Sequence, residues 1–183
     1  MIWLTDAEGR TTYMCAEWYA FTGLAPPAAL GTGWTASIHV DDRDLVEEAF
    51  QQACASRCEF TLQYRLRRRD GTYIWVHESA APSWLPKGKT FLGFLGQISS
   101  VEPQRRGLIA TAELQTFQAA KPVGEFAPIT ALDAMADHLL MARGLAATTT
   151  AAHLLEQIDE LLFGLGCELA RQGTQSDTTG NIH

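Results

Sequence analysis

The sequence predicts an α+β fold: a five-stranded antiparallel sheet with short helices on one face, followed by C-terminal α-helices. Apolar and polar residues alternate along short segments bounded by turn residues, which indicates strands with one buried face. The segments run as two strands, short helices and three strands, an order that favours an antiparallel sheet. The 183 residues are 46% hydrophobic and 19% charged, enough for one such domain and an appendage.

The first hairpin and the first helix are predicted from turn and stop signals. Residues 2–5 and 11–14 are short strands joined by the turn residues 6–9. Residues 16–22 form a short aromatic-rich helix that Gly23 ends. A longer helix follows Asp41-Asp42, because an apolar stripe begins there and an Asp at that place can cap free N–H groups.

The central hairpin leaves two registers open. Residues 60–67 alternate with a period of two, and Asp70-Gly71 is a strong turn signal. A two-residue turn pairs Leu66 with Trp75 and points His77 inward. A three-residue turn with a glycine bulge pairs Leu66 with Ile74 and points His77 outward. The bulged turn is slightly favoured, and it requires positive φ at Gly71.

The chain beyond the hairpin divides by composition. The last strand spans residues 90–98, after a turn near Pro86. Helices are predicted at residues 107–120, 130–145 and 149–171, with a break at 121–128. We therefore assign residues 1–106 to the sheet domain, 107–172 to a helical extension for dimerisation or signal transmission, and 173–183 to a flexible tail. Residues 107–183 carry 3 basic and 9 acidic side chains, which supports a boundary near Arg106.

Charge and hydropathy exclude several function classes. The net charge is -7 and the pI about 5.2, which argues against nucleic-acid binding. No apolar run is long enough to span a bilayer, which argues against a membrane protein. Residues 1–4 do not resemble a signal peptide, so we expect a cytoplasmic protein with reduced cysteines. Cys54 and Cys58 lack a second ligand pair for zinc, and no metal site is predicted.

Five sequence pieces occur in the order and spacing of one sensor family. They are residues 3–9, residues 17–23, the stretch from Gly33-Trp34 to His39-Val40-Asp41-Asp42-Arg43, residues 64–76 and residues 91–96. The series resembles a PAS domain, the small sensor fold of bacterial signalling proteins, over residues 1–103. Val40 replaces the usual proline, and Ser100 replaces the carboxylate of the last motif.

The resemblance implies a ligand cavity beneath the helices. Its candidate lining residues are Tyr19, Phe60, Leu62, Tyr64, Leu66, Phe91 and Leu95. A filled core explains the same apolar pattern and is the more common case. His77 is a weak haem candidate because the favoured register turns it outward, and His39 is better explained by a structural or capping role. No cysteine has the flavin-photosensor context, so the sequence requires no cofactor.

Two surfaces are candidate docking sites. Arg65, Arg67 and Arg69 form a basic cluster on one strand face, which is either a solvated face or a patch for an acidic partner. The last helix has an apolar stripe that predicts a homodimer: Leu154, Ile158, Leu161, Leu162, Leu165 and Leu169. No catalytic constellation is present, and we expect a non-enzyme. The resemblance implies action in trans on a histidine kinase or its regulator, with or without a small ligand.

Overall fold

A computed structural model describes residues 1–85, 90–101, 109–118, 126–150 and 152–178, with side chains as far as residue 172. Its strands are β1 (Ile2–Thr5), β2 (Thr11–Met14), β3 (Phe60–Arg67), β4 (Tyr73–Trp84), β5 (Phe91–Ser100) and β6 (Thr111–Leu114). Its helices are α1 (Ala16–Thr22), α2 (Pro26–Ala29), a 3₁₀ helix (Gly33–Ser37), α3 (Val40–Ser56), α4 (Ala131–Ala147) and α5 (Ala152–Thr178). Most of the predicted turn at residues 84–89 and most of the predicted break at 121–128 lie outside the described residues.

The described strands form one antiparallel sheet in the order β2-β1-β5-β4-β3-β6. The predicted fold class is confirmed, but the sheet has six strands where five were expected. The predicted helix at 107–120 is wrong for residues 111–114, which form β6 and pair with β3 from Phe60↔Leu114 to Gln63↔Thr111. The physical reason is that β3 would otherwise present an unpaired edge at these residues.

The central hairpin has the bulged register. Leu66 pairs with Ile74 and Gln63 pairs with His77, as the favoured alternative predicted. Gly71 adopts φ +88°, which a residue with a Cβ rarely takes. His77 therefore lies on the sheet face opposite to Tyr64.

Helix boundaries follow local capping chemistry. Gly23 ends α1 in the left-handed conformation with φ +73°, as predicted. α3 begins one residue before Asp41, and His39 Nδ1 accepts the hydrogen bond from the Asp41 backbone N–H. The capping role of His39 is thus confirmed, whereas the expectation of an Asp cap is wrong. Asp42 instead accepts hydrogen bonds from Arg65 on the neighbouring strand.

Helices cover both faces of the sheet. One face carries α1 and α3 over an apolar core that includes Trp18, Phe60 and Tyr64. The opposite face carries α4 and α5, where Leu162, Leu165 and Leu169 are buried. Half of the predicted dimer stripe therefore packs within the chain. α5 continues to Thr178, into the segment predicted to be a flexible tail.

Candidate functional site

A small pocket lies between the sheet and the helices α1 and α3. Its lining residues are Trp3, Thr11, Met14, Trp18, Trp34, Phe50, Leu62, Tyr64, Leu66, Glu78 and Ile98. The centre of a water molecule can occupy about 10 Å³ of it, close to the least that one water needs. The pocket is thus nearly filled by its own side chains.

Glu78 is the one acidic residue that lines this pocket. It lies on β4 opposite Leu62, and only 4% of the residue is exposed. Burial raises the pKa of its carboxyl group to about 7, and the Tyr64 hydroxyl and the Trp3 indole oppose that rise. Glu78 Oε2 and Trp3 Nε1 are both buried without a hydrogen-bond partner among the described residues. The nearby Tyr64 hydroxyl and Trp3 indole therefore offset the cost of burying the Glu78 carboxyl group only in part.

A glycine in β5 makes room for Trp3. Trp3 pairs with Gly96 across β1 and β5, and a Cβ at Gly96 would lie 2.2 Å from the indole ring. The indole can therefore lie directly over the strand only because residue 96 has no side chain. The signal for this contact in the sequence is a glycine inside a buried strand, which marks a close approach.

A surface cleft adjoins the pocket. It has a volume of about 470 Å³ and shares two lining residues with the pocket, Trp34 and Phe50. The rings of these two residues meet edge to face with centroids 5.6 Å apart. Glu8 and Glu47 also line the cleft. Trp34 and Phe50 thus separate the pocket from an opening that carries carboxylates.

The predicted cavity residues divide between the pocket and its surroundings. Leu62, Tyr64 and Leu66 line the pocket. Phe60 and Phe91 lie in the core beside it, each within 5.5 Å of Phe94 between ring centroids. These two residues therefore belong to the core beside the pocket and do not line it.

The two remaining cavity candidates lie elsewhere. Tyr19 is half-buried and packs edge to face on Trp18. Leu95 lies on the opposite sheet face, in a groove with Leu140 and Leu162 of the C-terminal helices. The expectation that Leu95 lines the cavity is therefore wrong, because successive strand residues point to opposite faces and Phe94 takes the inner one.

Several residues that line the pocket were not predicted from the sequence. They are Trp3, Thr11, Met14, Trp18, Trp34, Phe50, Glu78 and Ile98. A signal for Glu78 was present: the favoured hairpin register pairs it with Leu62 and so turns it inward. A charged residue at an inward strand position marks a candidate site.

The basic cluster is not a uniform patch. Arg65 binds Asp42 through Nε at 2.8 Å and Nη2 at 2.6 Å, and its guanidinium lies 5.5 Å from the centre of the Trp75 ring. Arg67 is half-buried at the end of β3. Arg69 lies beyond the strand, where its backbone N–H donates to the carbonyl of Phe21. The three arginines therefore do not share one strand face, and the Arg65 side chain is largely occupied within the chain.

The haem and redox candidates lie away from the pocket opening. His77 Nε2 is 2.7 Å from the carbonyl oxygen of Gln118 on the outer face. Cys15 is buried, and burial raises the pKa of its thiol to about 12, which opposes thiolate chemistry. Among the described residues, no group of three His, Cys, Asp or Glu side chains could hold a metal ion.

A second set of buried carboxylates joins α4 to the outer face. Tyr13 Oη donates to Asp133 at 3.0 Å, and Gln97 Nε2 donates to Asp137 at 2.5 Å. Burial raises the pKa of Asp137 to about 6 and raises that of Asp133. Glu17 accepts a hydrogen bond from the backbone N–H of Ile129. These polar contacts fix α4 on the sheet.

The fold agrees with the comparison with known protein families. Residues 11–94 match the family model described as PAS fold. The chain therefore carries a PAS domain, a sensor module of signal transduction, and the described residues beyond it include the helices α4 and α5. None of the described helices is long and apolar enough to cross a membrane.

One curated relative is an uncharacterized protein, y4lL, from Sinorhizobium fredii. It is 35% identical over 127 residues, or 69% of this chain. The chain spans only 15% of that protein's length. The activity and partners of the relative therefore give no established function for this chain.

Similar solved structures have the same kind of domain. The Cycle PAS-B domain of Drosophila melanogaster with bound ethylene glycol is 20% identical, with a TM-score of 0.44 over 55% of this chain and 98% of that one. A PAS domain of a protein from Colwellia psychrerythraea is 20% identical, with a TM-score of 0.44 over 55% and 84%. The N-terminal domain of a diguanylate cyclase with PAS/PAC sensor from Marinobacter aquaeolei is 16% identical, with a TM-score of 0.48 over 54% and 92%.

Proposed function

We propose that this chain is a cytoplasmic sensory adaptor in which the state of the Glu78 pocket controls the packing of α4 and α5 on the other side of the sheet. One observation carries the proposal. Ile98 lines the pocket, and its neighbour Gln97 donates to Asp137 of α4 on the opposite face. A ligand that moves Ile98 must also move Gln97, because the two residues share one stretch of strand.

The pocket volume bears on the choice between a ligand sensor and a ligand-free interaction module. Space for one water favours the ligand-free reading, whereas the buried Glu78 Oε2 without a partner favours a ligand. We favour the ligand, since Glu78 Oε2 is buried in an apolar pocket and a donor bound there would offset the cost of burying the carboxyl group. Native mass spectrometry of freshly purified protein tests this: a co-purified small molecule supports the sensor, and bare protein supports the interaction module.

Coupling to the helices is tested by hydrogen exchange. Ile98→Ala enlarges the pocket, while Val76→Ala removes apolar volume from the same sheet face outside the pocket lining. We expect amides of α4 to lose more protection in Ile98→Ala than in Val76→Ala at matched global stability. Equal exchange in the two variants would contradict the coupling.

The output is proposed to be an interaction in trans, without catalysis, with another signalling protein such as a histidine kinase or its regulator. Arg67 remains available on the sheet, whereas Arg65 is paired with Asp42. Arg67→Glu should therefore weaken capture of an acidic partner from the native host, more so at low salt. Unchanged capture would move the docking site away from this strand.

We also propose that the chain forms a homodimer through the exposed side of α5. Leu154 and Leu161 remain 44% and 59% exposed, so they are free to pack on a second copy. Sedimentation of the Leu161→Lys variant tests this: the dimer should dissociate. A wild-type chain that is monomeric at micromolar concentration would contradict the proposal.

A further inference from the structure

We propose that the Glu78 pocket binds a small organic ammonium ion, with methylammonium as the simplest member of the class. The inference names a ligand class for the site of the proposed function and rests on that proposal for its consequence in α4 and α5. Binding itself is argued from the charge, lining, size and entrance of the pocket.

The charge of the pocket calls for a cation. Glu78 is buried, and its Oε2 has no hydrogen-bond partner among the described residues. The only other titratable group in the described lining is the Tyr64 hydroxyl, and the lining includes no Lys, Arg or His. An ammonium group can donate hydrogen bonds to Oε2 and neutralise the carboxylate at once.

The lining suits an organic cation better than a metal ion. Five aromatic residues line the same pocket: Trp3, Trp18, Trp34, Phe50 and Tyr64. Aromatic rings attract ammonium groups through their quadrupole, and alkyl substituents gain apolar contacts with them. A metal ion would need several oxygen or nitrogen ligands, whereas Glu78 is the one carboxylate in the lining.

The size of the pocket limits the ligand. Room for about one water matches the ammonium group itself, and a methyl group requires a small displacement of the lining. Met14 lies in that lining, and methionine is an adaptable side chain. The affinity for the ammonium ion should therefore decline once its methyl groups need more space than the lining side chains can vacate.

The entrance has the charge that a cation needs. The adjoining cleft carries Glu8 and Glu47 and meets the pocket at Trp34 and Phe50. Arg10 in the same cleft is paired with Asp6 and Glu8. A movement of the Trp34 ring would connect this cleft to Glu78.

The full chain should be titrated with chlorides of ammonium and its one- to four-methyl derivatives, with NaCl at equal ionic strength and methanol as a neutral isostere of methylammonium. The readout is the NMR signal of the Trp3 indole N–H. We expect a saturable shift with at least one small amine and none with NaCl or methanol. Glu78→Gln should weaken that binding at least tenfold, whereas Glu160→Gln, at an exposed position on α5, should change it less than twofold.

Three outcomes would overturn the inference: no saturable binding by any member of the series, equal binding of methanol, or equal binding by Glu78→Gln. The first would mean that the pocket holds water only. Hydrogen exchange of α4 separates this inference from the proposed function. Amine binding without a change in α4 would support the ligand class and contradict the coupling. A neutral ligand that changes α4 would support the coupling and contradict the ligand class.

Discussion

Glu78→Gln should stabilise the protein at neutral pH. Burial raises the pKa of Glu78 from 4.5 to about 7, so the folded chain holds a proton that the unfolded chain releases between those values. Unfolding stability therefore falls as pH rises from about 4.5 to about 7, and the whole penalty is present above pH 7. At about 1.4 kcal/mol per pKa unit, the penalty is about 3 kcal/mol, and glutamine does not carry it.

Urea unfolding at several pH values between 4 and 8 measures this difference. We expect the two proteins to differ little at pH 4 and the variant to be more stable by up to about 3 kcal/mol at pH 8. Glu160→Gln, at an exposed position on α5, is the control and should show no such dependence on pH. A constant difference for Glu78→Gln would refute the reasoning, since it would mean that the folded protein compensates the charge.

Three further predictions concern the residues that build the site. Gly96→Ala should cost about 1–3 kcal/mol and shift the fluorescence of Trp3, because the new Cβ would meet the indole; an unchanged emission spectrum would contradict this. Gly71→Val should cost about 1 kcal/mol through its positive φ alone, since a Cβ there meets no neighbour; an unchanged melting temperature would exclude strain. Asp42→Ala should cost about 2 kcal/mol, because the Arg65 backbone N–H loses its acceptor and the guanidinium keeps the longer 3.4 Å ion pair with Asp41; a double-mutant cycle with Arg65→Ala should show coupling.

The sheet was largely predictable because its signals are local. Alternation along β3 and the Asp70-Gly71 turn determine both the strand and its register. β6 was not predictable, because Thr111–Leu114 has no period-two pattern and forms a strand through pairing with the distant β3 edge. The face of Leu95 was ambiguous for a different reason: β5 is buried on both faces, so alternation cannot distinguish inside from outside.

The site was less predictable than the fold because it depends on contacts between distant segments. Glu78 could have been placed from the hairpin register, but its contact with the Trp3 indole joins residues that lie 75 positions apart. The apolar stripe of α5 was visible, yet no local feature showed that Leu162 and Leu165 would pack on the sheet. An apolar stripe predicts that another surface packs on it, but it does not show whether that surface belongs to the same chain or to a second one.

Burial of β5 on both faces has a consequence for how a signal could travel. Close-packed layers transmit displacements, and Gln97 and Ile98 lie on a stretch of β5 that is buried on both faces. On the outer face the contact with α4 includes Gln97 with Asp137 and Tyr13 with Asp133, and hydrogen bonds weaken steeply with distance and angle. A shift of β5 that apolar packing could tolerate would therefore break the contact between Gln97 and Asp137 first, since Gln97 lies on β5 whereas Tyr13 lies on β2. The buried Asp137 carboxylate would then lose its Gln97 donor, which favours release of α4 over a gradual slide.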